Sequence, residues 1–318
     1  LSVHSNGSHG ILLEGDGSGQ NSVSGFIGTT NIEQSNGGDG IRIQNEVYWT
    51  YLDKCYVTGN TGNGIYIGPD VNHVEIRNCR VGFTDLNYDP AVHSPNQGWG
   101  LLAPEKPIEL LMDNNVFGIN KLGGMRIVGA QKYEYSQGIP PLSIQRTLVG
   151  YKYTVYGMDR KFLFGWSGLT GIGIDLEDIK SATLDTVYIN SFDTGLRLQG
   201  DKSSANTIHN LFAVNAKVCG AEMVKSVSDV FTHVFFNNSG GHGLSLTSTR
   251  ETVIRDCPES FQKNTADGIA MYKCEGVVID NVSLKNNQGR GIGIQSSKNT
   301  TIRRCEIREN GGDGVSMT

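Results

Sequence analysis

The sequence predicts an all-β protein that folds as a right-handed parallel β-helix, a solenoid of about thirteen coils with about 24 residues per coil. Three observations support this prediction. A glycine-led apolar motif recurs along the chain, a second strand motif keeps the same spacing, and 42 of the 318 residues are glycine. Glycine is thus well above its usual share of about 7 %, which fits a chain with many tight turns.

The first motif is a glycine followed by an apolar–any–apolar triplet, as in DGIRI and HGLSL. Its alternation predicts a short strand with the two apolar side chains inward and the middle one outward. The interval between Gly124 and Gly171 is about twice the repeat and predicts an additional coil near residues 142–149. The motif glycines are Gly10, Gly40, Gly64, Gly100, Gly124, Gly171, Gly195, Gly220, Gly243, Gly268, Gly291 and Gly314.

The second motif is a strand whose inward position is filled by cysteine or by an aliphatic residue. These inward positions are Cys55, Cys79, Val187, Leu211, Val234, Cys257, Val282 and Cys305. A recurring asparagine follows at Asn190, Asn215, Asn238, Asn264, Asn287 and Asn310. We expect the apolar side chains to stack into a core and the asparagine amides to bond from coil to coil. The cysteines are then buried free thiols, with a Cys55–Cys79 bridge as the alternative.

Composition and charge exclude several classes of protein. The net charge of −5 and the absence of a basic stripe argue against nucleic-acid binding. No apolar stretch approaches the ~18 residues of a membrane span, and the seven scattered histidines have no metal-ligand spacing. We therefore expect one β-helix domain over residues 1–318, a fragment without terminal caps, with insertions near residues 84–98 and 129–166.

The insertion at residues 84–98 is the first candidate for a catalytic site, because insertions are free to carry function while regular coils stack. It holds Asp85, Tyr88, Asp89 and His93. Paired carboxylates can act as general acid and base in glycoside hydrolysis, and a tyrosine or histidine can abstract a proton beside a uronate. The alternative is a surface turn in which the aspartates cap backbone groups.

Candidate substrate-binding residues lie on the outward strand positions and after the first insertion. Arginine on one face of an acidic protein suggests recognition of carboxylate groups. These candidates are Arg42, Tyr66, Arg126, Trp99, Glu105 and Lys106.

Two further segments are candidates. The insertion at residues 129–166 is rich in aromatic residues, among them Tyr133, Tyr153 and Trp166. Exposed aromatic rings stack on the apolar faces of sugars, although the segment could equally form a packed lobe or a subunit contact. The acidic cluster Asp175, Glu177 and Asp178 could supply acid–base groups or bind Ca²⁺ through oxygen ligands. No other cofactor is expected.

The repeats resemble the pectate-lyase-like β-helix superfamily, and LLEGDGSGQNSVSGF at residues 12–26 resembles the first coil of phage tailspike and polysaccharide-lyase domains. The resemblance implies a polysaccharide substrate, a homotrimer, and a place outside the cell or in a phage virion tail. Tyr88 to His93, YDPAVH, is similar in content to the tyrosine and Asp-Pro-His motif of mannuronan epimerases, but its histidine comes two residues late.

These observations predict a tailspike-like depolymerase that binds and cleaves a bacterial surface or acidic polysaccharide, as a hydrolase or a lyase. Asp85 and Asp89 are the expected acid and base, His93 or Tyr88 the proton shuttle, and Arg126 the group that holds substrate charge. A non-catalytic glycan-binding adhesin and a uronan C5-epimerase are the alternatives.

Overall fold

The computed structural model describes residues 1–15, 19–28, 35–82, 95–132, 139–154, 163–165 and 169–318. Within these ranges the secondary structure is β-strand and turn, with no helix. The chain divides into two compact units, an N-terminal unit over Leu1–Ile174 and a C-terminal unit over Asp175–Thr318. Within each unit the strands pair in parallel across successive coils, which is the parallel β-helix that the repeat predicts.

The N-terminal unit has two ladders of strands. The first ladder contains β1 (Ser2–Val3), β3 (Asn21–Gly28), β5 (Tyr48–Thr58), β7 (Asn72–Arg77), β8 (Arg80–Val81), β10 (Ile108–Asp113), β11 (Val116–Phe117) and β13 (Leu142–Val149). The second contains β2 (Ile11–Glu14), β4 (Ile41–Gln44), β6 (Ile65–Ile67), β9 (Trp99–Ala103) and β12 (Gly123–Val128). An antiparallel hairpin joins β14 (Tyr151–Thr154) to β15 (Leu163–Gly165), and β16 (Ile172–Glu177) follows.

The C-terminal unit repeats the same plan. Its first ladder contains β17 (Thr183–Asn190), β19 (Thr207–Val214), β21 (Val230–Thr232), β22 (Phe235–Asn237), β24 (Val253–Gln262), β26 (Val278–Lys285), β28 (Thr301–Arg303) and β29 (Glu306–Arg308). Its second ladder contains β18 (Thr194–Gln199), β20 (Cys219–Val224), β23 (His242–Thr247), β25 (Ile269–Tyr272), β27 (Ile292–Gln295) and β30 (Val315–Met317).

In-register pairing stacks like side chains and makes the core. Leu184 pairs with Ile208, Ile208 with Phe231, and Phe231 with Ile254, and all four are fully buried. Each buried aliphatic side chain stabilises the fold by about 1.5–3 kcal/mol relative to exposure. The predicted inward positions are confirmed, since Cys55, Cys79, Val187, Leu211, Val234, Cys257 and Val282 have at most 2 % of their surface exposed; Cys305, in the last coil, is partly exposed.

A residue with left-handed backbone bends each first-ladder strand just before its inward position. Asn78 (φ 55°) precedes Cys79, and Asn281 (φ 55°) precedes Val282. Asparagine tolerates this conformation, which explains why it occurs at these two positions. The motif glycines serve close coil stacking instead: a Cβ on Gly243 would lie 2.7 Å from the carbonyl oxygen of Gly268.

The predicted asparagine ladder consists of two kinds of asparagine. Asn264, Asn287 and Asn310 form the expected chain, with Nδ2 of each donating to Oδ1 of the next at 2.9 Å. Asn215 and Asn238 hold left-handed turn positions, with φ of 57° and 58°, and Nδ2 of Asn215 also donates to Oδ1 of Asn190 in the preceding coil at 2.9 Å. The N-terminal unit has its own amide chain, which the sequence analysis missed, through Asn6, Asn36, Asn60, Asn96 and Asn120.

The interval between Gly124 and Gly171 holds no additional coil. Residues 142–149 form β13, which belongs to the first ladder. In the second ladder β12 pairs directly with β16, with no strand between them. Gly173, and not Gly171, is the stacking glycine, because a Cβ on Gly124 would lie 2.3 Å from the Gly173 carbonyl oxygen. The chain contains two overlapping copies of the motif here, GIGI and GIDL, and the second sets the register. The outward residue of this coil is therefore Asp175.

All six cysteines are free thiols, so the alternative of a Cys55–Cys79 bridge is not formed. Burial raises the pKa of the Cys257 thiol to about 11 and that of Cys219 to about 12. Thiols with such pKa values are poor nucleophiles at neutral pH, and they act here as small core residues.

Candidate functional site

A groove crosses three coils of the second ladder in the C-terminal unit and encloses about 220 Å³. Its floor is a row of small outward residues, Ser245, Ala270 and Gly293, which pair in register on β23, β25 and β27. One wall is the row Thr247, Tyr272 and Gln295, two residues further along each strand. The other wall is formed by His242, Asp267 and Arg290, each one residue before a motif glycine.

An ion pair organises the second wall. Arg290 donates from Nε to Oδ1 of Asp267 at 3.2 Å and from Nη2 to Oδ2 at 3.0 Å, while the Arg290 backbone N–H donates to Oδ1 at 2.7 Å. The pair lies against Gly293, where a Cβ would come within 2.7 Å of Asp267 Oδ2 and 2.9 Å of Arg290 Cζ. The Asp267–Arg290 pair can therefore adopt this position only because residue 293 is a glycine without a Cβ. About 41 % of the Arg290 side chain remains exposed, against 6 % for Asp267.

The backbone fixes the tautomer of His242. Its Nδ1 lies 3.2 Å from the backbone N–H of Asp267, which can only donate, so Nδ1 is the acceptor. The ring proton is then assigned to Nε2. With 38 % of its side chain exposed, His242 presents this N–H as a donor at the groove edge.

Tyr272 is the exposed aromatic residue of the groove, with 39 % of its surface accessible. The Lys273 ammonium lies 4.9 Å from the centre of its ring, close enough for a cation–π contact. Arg290 and Lys273 therefore place a cationic group beside each wall of the groove, and each can pair with an anionic group of a ligand.

The groove offers donors and proton-transfer groups but no carboxylate pair. Of its lining residues only Asp267 is a carboxylate, and Arg290 occupies both of its oxygens. Arginine, the His242 ring and the hydroxyl and amide groups of Thr247, Tyr272 and Gln295 suit a hydroxyl-rich acidic sugar. Tyrosine and histidine can also move a proton beside a bound carboxylate.

The predicted catalytic residues Asp85, Tyr88, Asp89 and His93 lie outside the described residues. So do Tyr133 and Trp166, and of Tyr153 only the backbone, in β14, is described. Their roles remain predictions.

The structure describes the other predicted binding residues. Arg42 is held by its neighbours: Nη1 donates to Asp39 Oδ2 at 2.8 Å, and the guanidinium lies 3.9 Å from the centre of the Tyr66 ring. Arg126 is half-buried on β12, in register with Leu102 of β9, one coil after the first insertion. The half-buried Trp99 ring lies against Gly123, and Glu105 and Lys106 are exposed beyond β9.

The acidic cluster separates into different roles. Asp175 is fully buried beneath Arg197, which donates from Nε at 2.9 Å and from Nη2 at 2.7 Å. This contact raises the pKa of Arg197. Glu177 accepts from Gln199 at 3.4 Å, and Asp178 accepts from the backbone N–H of Lys202 at 3.2 Å. Within the described ranges no three His, Cys, Asp or Glu side chains are grouped as metal ligands.

The walls of the groove lie outside the triplet that follows each glycine, so the sequence motif did not predict them. The position before the glycine carries a signal of its own: it contains His242, Asp267 and Arg290 in three consecutive coils. Since these coils are in register, the three side chains must lie side by side.

Comparison with known proteins agrees with this architecture. Residues 173–318 match the family model for the right handed beta helix region. The A-module of mannuronan C-5 epimerase AlgE4 from Azotobacter vinelandii is similar in structure, with 12 % identity, a TM-score of 0.53, and coverage of 86 % of this chain and 70 % of that one. The Dettilon tailspike protein gp208 has 13 % identity, a TM-score of 0.53, and coverage of 99 % and 59 %. The fold is a right-handed parallel β-helix of the pectate-lyase-like type.

At these identities the similarity establishes the fold alone. The chain spans about 59 % of the length of the tailspike that it matches. No curated protein matches the sequence. The described residues include no helix long and apolar enough to span a membrane.

Proposed function

We propose that this protein binds an acidic polysaccharide in the groove of the C-terminal unit and cleaves it. The observation that carries the proposal is the groove itself: Arg290 and the Tyr272–Lys273 pair stand on opposite sides of a floor of small residues. Arg290 pairs with a sugar carboxylate, and Tyr272 contacts the ring. The similarity to a tailspike and to a mannuronan C-5 epimerase supports a glycan ligand by analogy of fold.

The groove chemistry favours elimination over hydrolysis, because it lacks a pair of available carboxylates. In elimination a base removes the proton at C5 of a uronate, the C5 electron pair forms the C4–C5 double bond, and the C4–O bond to the next sugar breaks. The departing oxygen takes up a proton. Tyr272 and His242 are the candidates for these two proton transfers, with Arg290 stabilising the carboxylate as negative charge develops.

An epimerase is the second candidate function. Tyr272 and His242 belong to opposite walls of the groove, so one can remove the C5 proton and the other can return a proton from the opposite face. The first step is the same as in elimination. The products differ, because epimerisation leaves the chain length unchanged.

The test is mass spectrometry of alginate, pectate, capsular and O-antigen polysaccharides after incubation with the protein in D₂O. We expect shorter products with an unsaturated end, and Tyr272→Phe should lose this activity while it retains binding. Deuterium in chains of unchanged length would indicate an epimerase, and hydrated short products a hydrolase. Binding without conversion would leave an adhesin. The absence of both binding and conversion would overturn the proposal.

The insertion at residues 84–98 is the rival location for the chemistry. If Asp85 and Asp89 are the acid and base, Asp89→Asn abolishes turnover and preserves binding, whereas Tyr272→Phe leaves turnover intact. Resemblance to tailspikes further suggests a homotrimer outside the cell or in a virion tail. Light scattering on the intact protein would then give three times the 34.5 kDa chain mass.

A further inference from the structure

We propose that the first ladder of the N-terminal unit carries a second saccharide-binding site, built on Trp49 and suited to uncharged sugar residues. Trp49 lies in β5 with 42 % of its surface exposed. One face of the indole packs on His73, with ring centroids 4.2 Å apart and an angle of 34° between the rings. The exposed remainder of the ring is a platform on which the apolar face of a sugar can stack.

The His73 ring, on which Trp49 packs, is held in place by contacts at both of its nitrogens. His73 is 5 % exposed; its Nδ1 lies 3.0 Å from Oε2 of Glu109, and its Nε2 lies 3.0 Å from Oε1 of Glu75. Glu109 is itself 2 % exposed, and Glu75 also pairs with Arg77. A ring held at both nitrogens cannot rotate away from Trp49. The platform is therefore preorganised, which lowers the entropy cost of binding a ligand.

A cavity of about 270 Å³ opens on the same ladder, across β7, β10 and β13, the three coils that follow β5. It is lined in part by Arg77, Asp113, Ser143 and Gln145. The cavity lies further along the strands than the platform, because Trp49 contacts His73 whereas the cavity begins at Arg77, four residues after His73 on the same strand. Successive coils are about 4.8 Å apart and successive strand residues about 3.3 Å, so one oligosaccharide of a few sugar residues can contact the indole and reach the cavity.

Two carboxylates of this surface are each paired with an arginine. Glu75 pairs with Arg77, and Asp113 pairs with Arg146, whose Nε donates to Oδ1 at 2.7 Å. Hydroxyl, amide and paired charged groups can exchange hydrogen bonds with sugar hydroxyls without favouring either sign of charge. The site therefore selects hydroxyl-rich, uncharged sugars, whereas the groove of the C-terminal unit selects acidic ones.

The test is calorimetric titration of the intact protein with neutral hexasaccharides of glucose, galactose and mannose, at low and high salt. Trp49→Ala should weaken binding of the neutral probe about tenfold, equally at both salt concentrations, and Trp49→Phe should retain most of the affinity. Leu122→Ala, at an apolar residue that is 52 % exposed in the same unit, is the matched control.

Unchanged affinity in a folded Trp49→Ala variant, or no binding of neutral probes by the wild-type protein, would overturn this proposal. If Trp49→Ala does not fold, acrylamide quenching in a Trp99→Phe/Trp166→Phe background replaces it. We expect the sugar to protect Trp49, and unprotected fluorescence contradicts the proposal. The ligand class depends on the proposed glycan function, but Arg290→Gln tests the groove with acidic probes, so the two proposals can fail separately.

Discussion

Buried carboxylates in this protein differ in what compensates their charge. Asp267 and Asp175 each face an arginine. Asp229 is fully buried without such a partner in the contacts described: Oδ1 accepts from the backbone and side-chain amides of Asn206, at 2.9 Å and 2.8 Å, and Oδ2 contacts Ser226. Burial raises the pKa of Asp229 despite these hydrogen bonds, because desolvation disfavours the ionised form.

Asp229→Asn should therefore stabilise the protein at alkaline pH. A carboxyl group whose pKa is higher in the folded state makes the folded protein less stable as pH rises above the pKa of the unfolded state, about 3.9. We expect the free energy of unfolding of the variant to exceed that of the wild type at pH 8, with the difference shrinking towards pH 4. Denaturant unfolding across this range measures the effect.

Asp280 is the control with the opposite sign, because hydrogen bonds from Arg304 and Arg303 hold its pKa at about 2. The contribution of Asp280 to the stability of the folded protein is present above the pKa of the unfolded state and is lost as pH falls towards 2. Asp280→Asn should thus destabilise the protein at neutral pH and lose this effect in acid. A pH-independent difference for Asp229→Asn would show that Asp229 is not ionised against a burial penalty.

At the scale of the strand and turn, two structural needs are met by one residue type. Asn238 is exposed in a left-handed turn position, whereas Asn264 is fully buried. Asn264 accepts from the Ser239 N–H and donates to Asn287 and to the Phe236 carbonyl. The spacing of the recurring asparagines, 23 to 26 residues, could not separate these positions, since they differ by a single residue in register.

Asn264→Ala should lower the free energy of unfolding by about 2 kcal/mol, because it leaves buried polar groups of two coils without partners. Asn238→Gly should change it little, since glycine readily adopts the left-handed turn. Thermal or denaturant unfolding compares the two variants. Equal destabilisation would mean that the two asparagines share one role, contrary to the structure.

The elements themselves were predictable where the period was regular. Period-2 alternation identified the inward rows from Cys55 to Val282, and their burial confirms it. The prediction was wrong between Gly124 and Gly171, where two overlapping motifs and a hairpin of β14 and β15 mimic an additional coil. Spacing alone cannot distinguish an inserted hairpin from a stacked coil, because the difference lies in which strands pair.

For the whole molecule, fold and function differ in how far sequence determines them. A solenoid is fixed by repetition, so the family model and two structures of at most 13 % identity agree on it. The groove depends on residues that are distant in sequence and adjacent only through stacking, such as His242, Asp267 and Arg290. It was therefore invisible to a search for compact motifs, which led to the insertion at residues 84–98.

The most direct test of the account is the affinity of the protein for hexasaccharides of mannuronate and galacturonate, measured by calorimetry for wild type, Arg290→Gln and Arg255→Gln. Arg255 is exposed on β24 of the same unit and controls for the charge change. We predict at least about tenfold weaker binding for Arg290→Gln alone, with the loss diminishing at high salt. Equal affinity of the two variants, both at the wild-type value, would contradict acidic-glycan binding in the groove.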